Sequence, residues 1–224
     1  MNILIMEHVE SEGPGTFGTF LENRGAKLHV ARLYAGDPLP SDLDRFAAIV
    51  SMGGPMNVYE EEAYPFLREE TRLLQRAINE DRFVLGVCLG AQLIAKACGA
   101  QVTLSPQKEV GWGQVFLTES GKHDPLFQGL PEDLTVFQWH GDMFHIPASG
   151  TLLAHGNDCP HQAFRHRNAF GLQFHVEVTG EILRAWFADS PDLGPIIQKF
   201  EELEHQLARH ADRMYENFFA LLKG

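Results

Sequence analysis

One cysteine and one histidine–glutamate pair carry most of the chemical promise of this chain. Cys88 lies in GVCLGAQ, residues 86–92, where the apolar run FVLGVC meets a helical pattern, with Gly86 and Gly90 two positions to either side. The same spacing around a serine marks a nucleophile elbow, in which glycines remove the side chains that would clash across a strained strand-to-helix turn. A helix N-terminus then offers free N–H groups and a positive dipole end, which favour a thiolate and can hold a developing oxyanion. The alternative for this heptad is a small cysteine buried at a close β–α crossing.

FGLQFHVEV, residues 170–178, supplies a partner. Residues two apart on a strand share a face, so His175 and Glu177 project together while Phe174 and Val176 face the other way. A thiol nucleophile needs an imidazole to take and return a proton. That imidazole needs a carboxylate to set its tautomer and stabilise its cation. Taken without Cys88, the pair also fits a polar, solvent-facing strand end. Metal chemistry has weaker support. Eleven histidines, among them His140, His145, His161 and His166 with Asp142 near the first, offer ligand types for zinc or iron, but no H-E-x-x-H or equivalent spacing occurs on one element. Gly53-Gly54-Pro55 matches neither phosphate-binding glycine motif. The reading therefore carries no metal and no cofactor.

The elements that must position these groups follow from periodicity. Strands are expected at Asn2–His8, Leu28–Tyr34, Ala47–Met52 and Phe83–Cys88, and helices at Thr16–Asn23, Phe66–Asn79 and Ala91–Cys98. This alternation with two-sided burial points to an α/β fold. Further strands are expected at Gln101–Leu104, Gln114–Leu117, Leu134–His140, Thr151–His155, Gln162–His166 and Ala169–His175, the last two joined by a turn at Arg167-Asn168. Ile196–Leu222 carries one apolar stripe, as a single helix or two broken ones.

Composition narrows the partners. A chain of 224 residues with 44% hydrophobic content can build a substantial core. Thirty acidic against 18 basic residues give a net charge of −12 without charge blocks, which argues against nucleic-acid or anionic-membrane surfaces. Neither a signal peptide nor a membrane span is expected, and three irregularly spaced cysteines (Cys88, Cys98 and Cys159) suit a reducing compartment, so a cytoplasmic location is expected.

Three motifs in order resemble the class I glutamine amidotransferase family: SMGGPMNVY its Gly-Gly-Pro oxyanion loop, GVCLGAQ its nucleophile motif and FGLQFHVEV its His-x-Glu motif. KEVGW (108–112) and WHGD (139–142) resemble the branch related to the amidotransferase half of GMP synthase, so that the likeness covers about residues 2–178. It implies a three-layer fold with a mostly parallel central sheet, helices on both faces and a β-rich second half. Domain 1–195 would be catalytic, with a helical extension, 196–224, packed on it. It also implies Cys88 as nucleophile, His175 as acid and base, Glu177 as orienter, and Gly54 and Leu89 as oxyanion-hole donors. Gln92 and Asp142 would meet the substrate, although Gln92 also fits a cross-link of the elbow and Asp142 a loop turn.

The implied substrate is a small molecule, L-glutamine or another γ-glutamyl compound. Only about 46 residues follow the matching region and none resembles an ATP-binding or acceptor domain. Three functions remain open: an amidotransferase or glutaminase, acting alone or beside a separate synthetase subunit; a γ-glutamyl peptidase with the same triad; and a catalytically silent regulatory or binding module.

Overall fold

Ile3 and Ile5 are buried on one side of the first strand, and Leu4 and Met6 on the other. A strand apolar on both faces needs cover on both, which is the condition of a parallel sheet between helical layers. The computed structural model describes residues 1–223; Gly224, the last residue of the expected extension, lies outside the described residues. Strand β1 (Asn2–Glu7) pairs in parallel with β2 (Lys27–Arg32) and β3 (Ala48–Ser51). β4 (Phe83–Val87) joins β3 in parallel, and β9 (Ala169–Leu172) joins β4. Beyond β9 the sheet turns antiparallel through β8 (Ala163–His166), β7 (Thr151–Gly156), β5 (Val102–Leu117) and β6 (Asp133–Phe144), giving the order β2-β1-β3-β4-β9-β8-β7-β5-β6.

Helices α1 (Gly15–Asn23) and α6 (Leu193–Leu221) cover the face holding Ile3, Ile5, Val50, Leu85 and Phe170. α2 (Phe66–Asn79) and α3 (Leu89–Ala97) cover the other, over Leu4, Met6, Ile49 and Val84. The stripe at the chain's end is one helix. Its Met214, Tyr215, Phe218 and Phe219 are buried against Phe17 and Phe170. Burying one such side chain contributes about 1.5–3 kcal/mol, so this helix belongs to the main core. No helix among the described residues is long and apolar enough to cross a membrane.

Three expectations need correction. Gln101–Leu104 and Gln114–Leu117 are the ends of one strand, β5, whose register against β6 shifts between Leu104 and Glu109. The middle of β5 is mostly exposed or half-buried, so no alternation of apolar residues announced it. Two short helices, α4 (Glu119–His123) and α5 (Gly180–Trp186), were not anticipated; each is capped by a threonine hydroxyl rather than marked by a long apolar stripe. Most important for the site, β9 stops at Leu172 rather than at His175. Its partner β4 ends where the chain turns at Cys88, whose N–H makes the last bond on that side, to the Leu172 carbonyl; on the other side the Gln173 N–H makes one more, to Gln162, before the segment leaves the sheet.

Candidate active site

Cys88 stands between β4 and α3 with φ 51° and ψ −107°, left-handed backbone that a non-glycine residue holds at a cost of about 1–3 kcal/mol. Its glycine neighbours are required by contact. A Cβ on Gly86 would lie 2.5 Å from the Gly90 carbonyl group, and one on Gly90 would strike the Ser51 carbonyl. The turn therefore closes only if both are bare. The thiol projects from it at 5% exposure, with Sγ 3.8 Å from the Trp139 carbonyl and accepting from Gln173 Nε2 at 3.7 Å. Leu89 opens α3, and among the described residues its N–H donates to no protein group.

His175 and Glu177 lie beyond the end of β9 in an irregular segment, yet they meet as a pair. His175 Nδ1–H donates to Glu177 Oε1 at 2.6 Å, and Glu177 Oε2 accepts from the Val176 N–H at 2.9 Å. Both side chains are buried. Burial alone would lower the basicity of His175. The Glu177 charge and the hydrogen bond to Glu177, with Cys88 close by, outweigh it and hold the imidazole well above its ordinary value of 6.5. His175 and Glu177 are thus a hydrogen-bonded pair, and the imidazole lies near enough to Cys88 to feel it.

Distant elements hold this segment in place of a ladder. His175 exchanges backbone bonds of 2.8 and 3.2 Å with Phe137 of β6. The Glu177 carbonyl accepts from the Thr16 N–H at 3.0 Å. The Tyr215 hydroxyl of α6 donates to the Val176 carbonyl at 3.0 Å and accepts from Thr16 Oγ1 at 2.8 Å. The Trp186 ring of α5 packs edge-on against His175 at 5.0 Å between centroids.

The Gly-Gly-Pro loop leaves β3 beside the thiol, and a buried network braces it. His8 Nδ1–H donates to the Gly53 carbonyl at 2.9 Å, and His8 Nε2 lies 2.6 Å from Glu70 Oε2. Glu70 Oε1 accepts from Ser51 Oγ at 2.6 Å. Burial opposes charge on His8, but Glu70 and the Gly53 carbonyl overcome it and raise its pKa. A planar trans peptide directs its N–H opposite its C=O. With the Gly53 carbonyl turned to His8, the Gly54 N–H points away from that network, and Gly54 lines the same pocket as Cys88.

That pocket has a volume of about 260 Å³ and is walled by Glu12, Gly54, Cys88, Gln92, Trp139 and Asp142, with Lys108 also on its lining. All the residues expected to meet substrate or oxyanion converge on it except Leu89, which adjoins Gly54. Gln92 is buried and donates to the Asp142 carbonyl (3.2 Å) and to Gln173 Oε1 (3.3 Å), so it cross-links the elbow while lining the pocket. Asp142 Oδ2 accepts from Asn57 Nδ2 at 2.7 Å. Sequence reading missed Glu12, His8, Glu70 and Tyr215. His8 and Glu12 were visible only as polar residues at the end of an apolar strand and before Gly13, and Tyr215 as one position in a helical stripe.

These features decide the family, and comparison with known proteins agrees. The profile of the family "Glutamine amidotransferase class-I" matches residues 19–187. The chain belongs to the class I glutamine amidotransferases. It is 38% identical over 185 residues to the glutamine amidotransferase-like protein YfeJ of Salmonella typhimurium, covering 81% of this chain and 77% of that one. GMP synthase of Streptococcus pyogenes is 32% identical over 168 residues, a match that takes in 72% of this chain and only 29% of the synthase. The crystal structure of a glutamine amidotransferase from Thermotoga maritima superposes with a TM-score of 0.90 at 30% identity, covering 97% of each chain. The expected amidotransferase fold is therefore the observed one.

One further cluster has the residue types of a metal site in this amidotransferase. Ligand atoms of Glu109, His140 and Cys159 lie within 4.8 Å of one another. Their partners are already protein groups. Glu109 Oε2 lies 2.9 Å from His140 Nε2 and accepts from Gln162 Nε2 at 2.7 Å, while His140 Nδ1–H donates to the Asp142 carbonyl at 3.0 Å. Burial also raises the Cys159 thiol, disfavouring the thiolate a metal requires. The cluster ties KEVGW to WHGD and shapes the wall behind Asp142.

Proposed function

We propose that the protein hydrolyses L-glutamine to glutamate and ammonia through a γ-glutamyl thioester on Cys88. The observation that carries this reading is the buried, hydrogen-bonded His175–Glu177 pair close to Cys88 at its strained elbow, beside a pocket the size of an amino acid that Cys88 lines. His175 takes the thiol proton, and Sγ attacks the side-chain amide carbon. The carbonyl π pair moves to oxygen, which the Gly54 and Leu89 N–H groups receive. As the oxyanion collapses, the C–N bond breaks, its electron pair stays on nitrogen, and His175 returns the proton to the leaving ammonia. Water then attacks the thioester carbon, giving a proton to His175, and the C–S pair returns to sulfur as glutamate departs. Glu177 keeps the imidazole in the right tautomer and offsets its charge in both halves.

Asp142 and Gln92 face the amino-acid end of the substrate, and Lys108 supplies a cation for its carboxylate. The catalytic part is residues 1–195, and the extension 196–224 serves it through Tyr215. The likeness to one part of a GMP synthase supports a separate synthetase subunit as the acceptor of the ammonia. A cytoplasmic setting accords with a free nucleophilic thiol. The test is ammonia and glutamate release by the wild type and by Cys88→Ala. The variant is expected to lose about 10⁴-fold or more in turnover with its thermal unfolding unchanged; undiminished release by Cys88→Ala would end the assignment.

A further inference from the structure

Glu12 is a carboxylate in the pocket without a protein donor. It lies in the EGPG segment between β1 and α1 at 9% exposure, and among the described residues its side chain accepts no hydrogen bond. The carboxylate opens on the pocket with its acceptor positions free of protein donors, so a ligand that enters there can supply them. Its position identifies which part of the ligand. A Cβ on Gly53 would collide with Glu12 Oε2 and stand 3.1 Å from His175 Cε1, so the carboxylate and the triad imidazole lie side by side across the bare Gly53 Cα. His175 Nδ1 is committed to Glu177. The free edge of the ring beside Cε1 is Nε2, the atom that hands a proton to the departing nitrogen. Glu12 thus stands beside the imidazole and lines the same pocket as Cys88, at the end where the scissile bond would lie.

We infer that Glu12 is a specificity residue that accepts an N–H of the scissile amide nitrogen and turns away leaving groups that carry a carboxylate next to that nitrogen. The inference rests on the γ-glutamyl reading above and narrows its substrate class. Glutamine releases ammonia, whose N–H groups are all donors. A γ-glutamyl amino acid releases an amine with its own carboxylate two bonds away, which would be driven against Glu12. Two like charges a few ångströms apart in a half-buried site discriminate by about tenfold or more. Glu12 takes no proton in the step: the C–N pair goes to nitrogen, the proton comes from His175, and the carboxylate only receives the hydrogen bond. Burial, the largest influence, and Glu177 raise the Glu12 pKa, while His175 and His8 draw it down, so the charge effect is to be measured in mildly alkaline solution.

Binding rather than turnover tests this, so that no synthetase partner is needed. Calorimetric titrations of Cys88→Ala, alone and combined with Glu12→Gln or Glu12→Ala, would use L-glutamine, γ-glutamylglycine and uncharged γ-glutamylmethylamide at about pH 8, with thermal melts to confirm folding. Cys88→Ala is expected to prefer glutamine over γ-glutamylglycine by about tenfold or more. Both Glu12 variants should shrink that ratio several-fold while leaving the ratio of glutamine to γ-glutamylmethylamide within about twofold. An unmoved γ-glutamylglycine ratio, or equal weakening of all three ligands, would overturn the role of Glu12 and leave the γ-glutamyl reading intact. If no γ-glutamyl ligand binds Cys88→Ala at all, that reading falls and the inference falls with it.

Discussion

The two sides of this candidate active site are built in opposite ways. On one side, β4, Cys88 and α3 form a continuous strand, elbow and helix, so fifteen consecutive residues, 83–97, carry the proposed nucleophile and the helix N-terminus beside it. On the other, His175 and Glu177 sit past the end of β9, where no ladder supports them, and are held by Phe137, Thr16, Trp186 and Tyr215 from four other parts of the chain. A strained elbow is over-determined by its own glycines and needs little outside help. An irregular segment has a defined geometry only when distant groups satisfy its backbone. The proposed nucleophile is thus placed locally and the proposed base by tertiary structure.

The largest test of that contrast is Glu177→Gln, which should lower turnover by about 10³-fold while leaving the elbow in place. The His175 pKa should fall, because the charge that opposes burial is gone; imidazole resonances followed by NMR across pH would show it. The same change should alter the pH dependence of stability. A folded-state pKa above 6.5 contributes stability that is complete below about pH 6.5 and fades as pH rises through the raised native value. Denaturant titrations of Glu177→Gln should lose that alkaline decline, and an unchanged profile would show that Glu177 does not set the His175 charge.

Next in size is Gly90→Ala, which drives a methyl group into the Ser51 carbonyl. A loss of about 1–3 kcal/mol in unfolding free energy is expected, together with slower alkylation of Cys88 by iodoacetamide. Normal stability and alkylation would mean that the elbow is not self-determined. The smallest effect belongs to Tyr215→Phe, which deletes the tie to the Val176 carbonyl and keeps the ring in its core. About 1 kcal/mol of stability should go, with kcat falling several-fold and KM little changed, and with Cys88 alkylation at the wild-type rate. A fall in alkylation as large as the fall in kcat would erase the distinction between the two sides.

Legibility in the sequence follows the same division. β1 and β3 showed as short apolar runs, and α2 as an amphipathic pattern, because burial writes itself into residue type at a fixed period. α4 and α5 did not, being short and held by one threonine cap each. The pairing of His175 and Glu177 was visible from their spacing, but the strand expected at Ala169–His175 stops at Leu172, short of both. Glu12 and His8 escaped notice because a lone polar residue near a strand end is common, and their meaning lies in what they face.

From the sequence alone came an α/β core, a candidate nucleophile at an elbow and the residue types of a base and its orienter, since these depend on neighbours within a few positions along the chain. Only the tertiary structure decided that His175 comes close to Cys88 and that Glu12 lines the same pocket as Cys88. It alone showed a hydroxyl from the final helix closing the segment between His175 and Glu177. Those contacts join residues as far apart as Thr16 and Tyr215. A hydrogen bond across 199 positions leaves no periodicity in the sequence to read.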